Sequence, residues 1–299
     1  MTIRFGVSPI AWINDDMPEL GGDTPVESVL DDIREIGFAG VELGGKFPRD
    51  PRVLRELLER YGLDLIGGWY SSNLLVRDAE AEIEAMRSHL QLLQALGSKV
   101  FVIADTSNAI HGDRNRPLAD SPALGDEQWK MFGERLTKVA DFVRSEGLRL
   151  AYHHHLGTVV ETADEFDRFL AETGPDVGLT LDTGHAALGG IDALSIIQNR
   201  PERVAHVHCK DVRRPIFDAL MNQRRSFLEG VLEGIFTVPG DGDLDFQPVF
   251  EALSAVGYSG WVVVEAEQDP AIADPRTFAR IGLGTLRSAA RLAGLEEAA

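Results

Sequence analysis

The ionisable residues of this 299-residue chain gather in a few short runs. His153-His154-His155 stand together, as do Asp182-Thr183-Gly184-His185 and His206-Val207-His208-Cys209-Lys210-Asp211, while Glu42 and Glu265 each follow an apolar run. Imidazoles and carboxylates share two chemistries: they bind divalent cations, and they move protons near neutral pH. Both require that a fold bring the runs to one place.

The elements that could do this are legible in the hydrophobic pattern. Eight β-rich runs alternate with longer amphipathic ones: Arg4–Ser8, Gly40–Leu43, Asp64–Gly67, Lys99–Ile103, Arg149–Tyr152, Gly178–Leu181, Arg203–Val207 and Trp261–Val264. Runs such as VFVI and WVVV are apolar at every position, as strands buried on both faces are. Helix starts are expected at Thr24-Pro25, Asp50-Pro51 and Thr162, the first and last as capping boxes. Gly37, Gly62, Gly97, Gly147 and Gly257 mark helix exits. The echo between Ile36-Gly37-Phe38-Ala39-Gly40 and Val256-Gly257-Tyr258-Ser259-Gly260 points to a repeated helix–glycine–strand unit. The predicted fold is α/β, a single-domain (β/α)8 TIM barrel over residues 1–299, with long loops after strands 4 and 7 (Asp105–Gln128 and Val212–Asp245). An open doubly wound sheet is disfavoured, because Ser8-Pro9-Ile10-Ala11-Trp12 stands where a glycine-rich phosphate loop would follow the first strand.

In such a barrel all eight strand ends reach one mouth. Asp182, His208 and Glu265 then meet on three consecutive strands, and a divalent cation supplies the counter-charge that makes their burial tolerable. Mixed nitrogen and oxygen donors suit manganese, cobalt, iron or zinc better than calcium. Alternation puts His206 and His208 on one face and Cys209 on the other. His208, nearer the mouth, is the expected ligand, His206 a polar plug and Cys209 a packing residue. His153 and His155 share a face, and either could reach the metal; His154 opposes them and reads as structural. Trp12, Asn14 and Trp69 sit at strand ends, where an aromatic serves equally as a core lid or a sugar platform.

Composition narrows the partners. A formal net charge of -19 repels phosphate backbones, so nucleic acid is not an expected partner. No apolar run approaches the roughly 20 residues that span a bilayer. The start reads directly as a strand, so neither a signal peptide nor a membrane partner is expected. Cys209 is the only cysteine, which excludes an intramolecular disulfide. A cytoplasmic location is expected, and a homo-oligomer is compatible with everything above.

LDTGH, HVHCKD and a late strand ending in glutamate after Pro239-Gly240-Asp241-Gly242-Asp243-Leu244-Asp245 resemble the xylose-isomerase-like sugar isomerase/epimerase superfamily. The resemblance spans nearly the whole chain. Within it, Pro9–Asp16, Tyr152–Thr158 and the Ser226–Gly240 insertion look like the myo-inosose-2 dehydratase group. That superfamily binds its metal through Glu, Asp, His and Glu. Asp182, His208 and Glu265 match the last three, and the expected glutamate reads His153, the implied fourth ligand. The departure argues against an ordinary aldose–ketose isomerase, where that glutamate shares the proton transfer. The resemblance also implies that His185 contacts substrate and that Arg214, six past His208, binds it.

The expected activity is that of a lyase (hydro-lyase) of inositol catabolism, removing water from 2-keto-myo-inositol to give a cyclic 1,2-dione. Trp12, Asn14, Trp69 and Arg214 are the expected substrate contacts. The expected metal is manganese or cobalt, with zinc, iron or magnesium as alternatives. Glu42, His155, His185 and Lys210 are the candidates for the acid and base. Two alternatives stand: a sugar or inosose isomerase or epimerase working through a metal-stabilised enediolate, and a non-catalytic cyclitol-binding barrel.

Overall fold

The computed structural model describes residues 2–298. Its strands are β1 (Thr2–Val7), β2 (Gly40–Val41), β3 (Asp64–Leu65), β4 (Trp69–Ser72), β5 (Val100–Asp105), β6 (Arg149–His153), β7 (Gly178–Asp182), β8 (Val204–Cys209), β9 (Asp211–Val212), β10 (Phe236–Thr237), β11 (Gly260–Val264) and β12 (Glu296–Glu297). The helices are α1 (Val26–Ile36), α2 (Pro51–Tyr61), α3 (Ala79–Ala95), α4 (Asp126–Ser145), α5 (Ala163–Glu172), α6 (Thr183–Gly189), α7 (Ala193–Asn199), α8 (Arg214–Asn222), α9 (Phe227–Glu233), α10 (Gln247–Ala255) and α11 (Pro275–Leu292). No helix among the described residues is long and apolar enough to cross a membrane.

The ladder is parallel throughout its main path, in the order β3-β2-β1-β11-β8-β7-β6-β5-β4, with β12 added on β1. All of its strands point the same way, so Glu42, His153, Asp182, His208 and Glu265 arrive at one end. The architecture is an α/β, TIM-barrel-like fold. The expectation of eight strands closing cleanly is corrected: the hydrogen-bonded path has nine strands and is open between β3 and β4. The cause lies at residues 66–68. Ile66 N donates to Val41 and Leu43 N to Gly67, keeping this segment on the β2 side, whereas Trp69–Ser72 pair only with β5. Gly68 passes so near Leu43 that a Cβ there would lie 2.7 Å from its Cβ.

Local signals explain most helix ends. The Asp50 carboxylate accepts from the N–H groups of Arg52 and Val53, and Thr162 forms a full capping box with Glu165. At α1 the expected box is absent, because Pro25 rather than Thr24 occupies the cap position and has no side-chain acceptor. The two long loops meet over the mouth. Leu118 N donates to Arg225 O at 2.9 Å, and Leu118, Leu156, Phe227, Leu228 and Phe236 bury one another in an apolar cluster apart from the main core. Ser226 caps α9 through a box with Glu229.

Candidate active site

The site begins with the way β7 becomes α6. Asp182 ends the strand and caps the helix: its Oδ1 accepts from Gly184 N at 2.8 Å and His185 N at 2.9 Å. That leaves Oδ2 buried and without a hydrogen bond. Around it lie His153 Nε2 at 3.6 Å, Lys210 Nζ at 3.7 Å and His208 Nδ1 at 3.8 Å, all beyond ordinary hydrogen-bond length. His153, Asp182, His208 and Glu265 each offer one ligand atom, and these atoms lie within 4.8 Å of one another. A buried carboxylate oxygen left unpaired amid two imidazoles and a second carboxylate fits a divalent cation.

Glu42 stands behind this group. Its Oε1 is 2.9 Å from His206 Nε2 and 3.0 Å from His208 Nε2, which turns His208 Nδ1 toward Glu265 Oε2 at 2.9 Å. Carboxylates that hold the far nitrogen of a ligating histidine fix its tautomer and ring orientation. Burial opposes the charge on Glu42, yet His208 and His206 outweigh it and hold the carboxyl well below its ordinary range. Burial likewise disfavours a charged His208, but Glu42 and Glu265 raise it well above the usual imidazole value.

A second network adjoins the first. Lys210 Nζ donates to Glu267 Oε1 at 2.7 Å and lies 3.0 Å from His185 Nε2 and 3.2 Å from Glu265 Oε2. Gly184 makes room for it, since a Cβ there would sit 2.8 Å from Lys210 Cγ. Burial would neutralise Lys210, but Glu265, Glu267 and Asp182 push it above its normal value. Burial, with His155 and Lys210 nearby, keeps His185 neutral. Although His155, His185 and Glu267 also have metal-ligand spacing, Lys210 already neutralises Glu267. His155 Nδ1 lies 2.7 Å from the Leu156 carbonyl, to which it must donate, so Nε2 faces Glu267 Oε1 at 3.7 Å; burial disfavours charge on the ring, but that carboxylate outweighs it and raises the imidazole above its ordinary value.

These groups floor a cavity of about 360 Å³, within the roughly 300–1,000 Å³ of small-molecule sites. Glu42, His153, His155, His208 and Glu265 line it, and Trp69 forms part of its wall, its ring 5.3 Å from that of His153 and inclined to it by 63°. Asp182, His185 and Lys210 lie buried behind that surface. Three expected substrate contacts are not among its lining residues. Trp12 is buried with Nε1 donating to Asp32, and Asn14 braces a turn by accepting from Asp16 N and Met17 N. Arg214 begins α8 and donates to the Ala187 carbonyl. His154 faces Phe166, away from the site, and burial first, then neighbouring His153, lowers it to about 3. His206 is held by Glu42, and Cys209 packs in the main core.

Sequence reasoning missed Asp15, Asp16, Arg49, His111 and Glu267, which also line the cavity. Glu267 could have been found, since it is two residues past Glu265 and shares its alternation. The others stand on loops, where no periodicity points inward.

Comparison with known proteins follows this geometry. Residues 30–289 match the family described as xylose isomerase-like TIM barrel. A rhizopine catabolism protein, MocC, of Rhizobium meliloti is 47% identical over 294 residues, covering 98% of this chain and 90% of its own. An inosose dehydratase of Geobacillus thermodenitrificans is 43% identical over 279 residues, covering 93% of this chain and 94% of its own. Among solved structures, a xylose isomerase domain protein from Alicyclobacillus acidocaldarius superposes with a TM-score of 0.71 at 21% identity, over 98% of this chain and 100% of its own. The chain therefore belongs to the xylose-isomerase-like TIM-barrel family, closely related to several inosose dehydratases.

Proposed function

We propose that this protein is a metal-dependent hydro-lyase that removes water from a 2-keto cyclitol, 2-keto-myo-inositol, giving a cyclic 1,2-dione in inositol breakdown. The observation that carries the proposal is the coincidence of two things. Inosose dehydratases match the chain across nearly its full length, and the cavity has a four-residue cation site beside an acid–base network. His153, Asp182, His208 and Glu265 would hold the ion, manganese or cobalt in the first instance. When bound, such a cation polarises a ketone and stabilises the negative charge that develops on its oxygen.

The chain's own residues do the rest. Glu42 orients His208, and Asp182 is held by the start of α6. Lys210 fixes Glu267 and Glu265. His155 Nε2 is the acceptor suited to the proton α to the ketone, and Glu267, 3.7 Å away, stabilises the imidazolium that results. The loops that meet at Leu118 and Arg225 limit access of water to the mouth. The cavity's walls carry Asp15, Asp16, Glu42, Glu265 and Glu267 against one arginine, Arg49, whose guanidinium donates to the Gly44 carbonyl. That balance favours an uncharged polyol over a sugar phosphate. The single cysteine, reduced and buried, supports a cytoplasmic setting.

An isomerase or epimerase reading is weakened by His153, which stands where the resemblance puts a proton-transferring glutamate. The relative named for rhizopine catabolism favours a second reading, in which the same elimination acts on a compound from rhizopine breakdown. Metal-loaded protein should consume 2-keto-myo-inositol with loss of water. Solvent deuterium incorporation without loss of water would instead identify an epimerase.

A further inference from the structure

Elimination requires a group that takes the α proton and another that gives a proton to the departing hydroxyl. Five acids line the cavity, and four are engaged by the protein itself. Glu42 is bound by His206 and His208, Glu265 by His208, and Glu267 by Lys210. Asp15 accepts from Gly45 N through both oxygens, at 3.1 and 3.0 Å. Asp16 is different. Its backbone is fixed, since its N–H donates to Asn14 Oδ1 at 2.9 Å. Among the described residues no hydrogen bond reaches its carboxyl group, and its nearest basic partner is His111 Nε2, 4.0 Å from Oδ1. The His111 ring lies 5.1 Å from that of His155, so Asp16 and His155 serve the same space.

We propose that Asp16 is the catalytic acid that protonates the departing hydroxyl of the cyclitol. This rests on the dehydratase reading above. His155 Nε2 takes the α proton, and the C–H electron pair moves into the ketone to give an enolate, which can take a solvent proton back; collapse of the enolate re-forms the C=O bond and a double bond between the α and β carbons. The β C–O bond breaks, and the Asp16 proton joins the leaving oxygen as water. Asp16 ends ionised and His155 protonated, and exchange with solvent restores both. The groups facing Asp16 are Asp15, His111, His155, Lys210 and Glu267. Burial first, then the negative charge of Glu267 and Asp15, push Asp16 up to about 6 against the pull of His155 and Lys210. Near neutrality a minority of molecules then carry this proton, far more than for an ordinary aspartate.

The test compares manganese-loaded wild-type protein with Asp16→Asn on 2-keto-myo-inositol in deuterated water, following water loss and α-proton exchange separately. Asp16→Asn should lose about 100-fold or more in elimination while still exchanging the α proton. It should also lose the alkaline limb of the kcat profile, and Asp16→Glu should recover part of the rate. Because the carboxyl group makes no hydrogen bond among the described residues and its burial disfavours the charge, thermal unfolding of Asp16→Asn at neutral pH should be no lower than that of wild type. Unimpaired elimination by a folded Asp16→Asn overturns the assignment, as does parallel loss of exchange and elimination. A wild-type protein that leaves the ketone untouched overturns the dehydratase reading and the assignment with it.

Discussion

On the proposed reading, Glu42 governs the site through the histidines it holds rather than by ligating the ion. It engages both His206 and His208, and removing its charge would free the His208 ring to turn. Glu42→Gln should weaken manganese binding roughly 10–100-fold, the usual cost of losing such a partner, with activity recovered at high metal concentration. Isothermal titration of the chelated, reloaded protein would measure it. Unchanged affinity would assign Glu42 to substrate or proton transfer instead. Asp182, His208 and Glu265 were legible as a group because each ends a strand, and parallel strands leave no choice about where their ends go. His153 was legible as the one of two same-face histidines that the resemblance singles out. Asp16 and Arg49 were not legible, because a loop residue's direction depends on turns such as the one Asn14 braces. The same turn explains Asn14 itself: a polar residue at a strand end was spent on backbone N–H groups rather than on a ligand.

At the scale of elements, the strand-to-helix junction at 182–185 does most of the positioning. Gly184 allows Lys210 to lie against the first turn of α6. Gly184→Ala should displace Lys210, cost about 1–3 kcal/mol of stability from overpacking, and lower kcat more than it raises KM. Denaturant unfolding and steady-state kinetics would check both. Ser226 caps α9 in the loop over the mouth, so Ser226→Ala should cost about 1 kcal/mol and speed proteolysis there. Most strands and helix ends were readable from apolar runs, caps and glycines. The break between β3 and β4 was not, since the paired glycines at 67 and 68 release the backbone without altering the apolar pattern. The two-residue antiparallel ribbon of β9 and β10 is likewise too short to carry a period.

For the whole molecule, buried histidines should shape stability. Burial lowers His89 to about 4, and its Nε2 lies 3.2 Å from the Gly68 carbonyl. The unfolded chain therefore takes up that proton first, near pH 6.5, and stability falls from there toward pH 4. The slope from this group is about 1.4 kcal/mol per pH unit. Unfolding free energies between pH 7.5 and 5.5 should decline for wild type, and less steeply for His89→Gln; equal slopes would exclude the contribution. The strongly acidic surface, a net charge of -19, keeps anionic ligands at a distance and agrees with an uncharged substrate. The most direct test of the account is conversion of 2-keto-myo-inositol by protein stripped with a chelator and then reloaded with manganese or cobalt. The stripped protein should be inactive and the reloaded protein should release water to form the dione; turnover indifferent to the metal, or no turnover by the loaded protein, would contradict it.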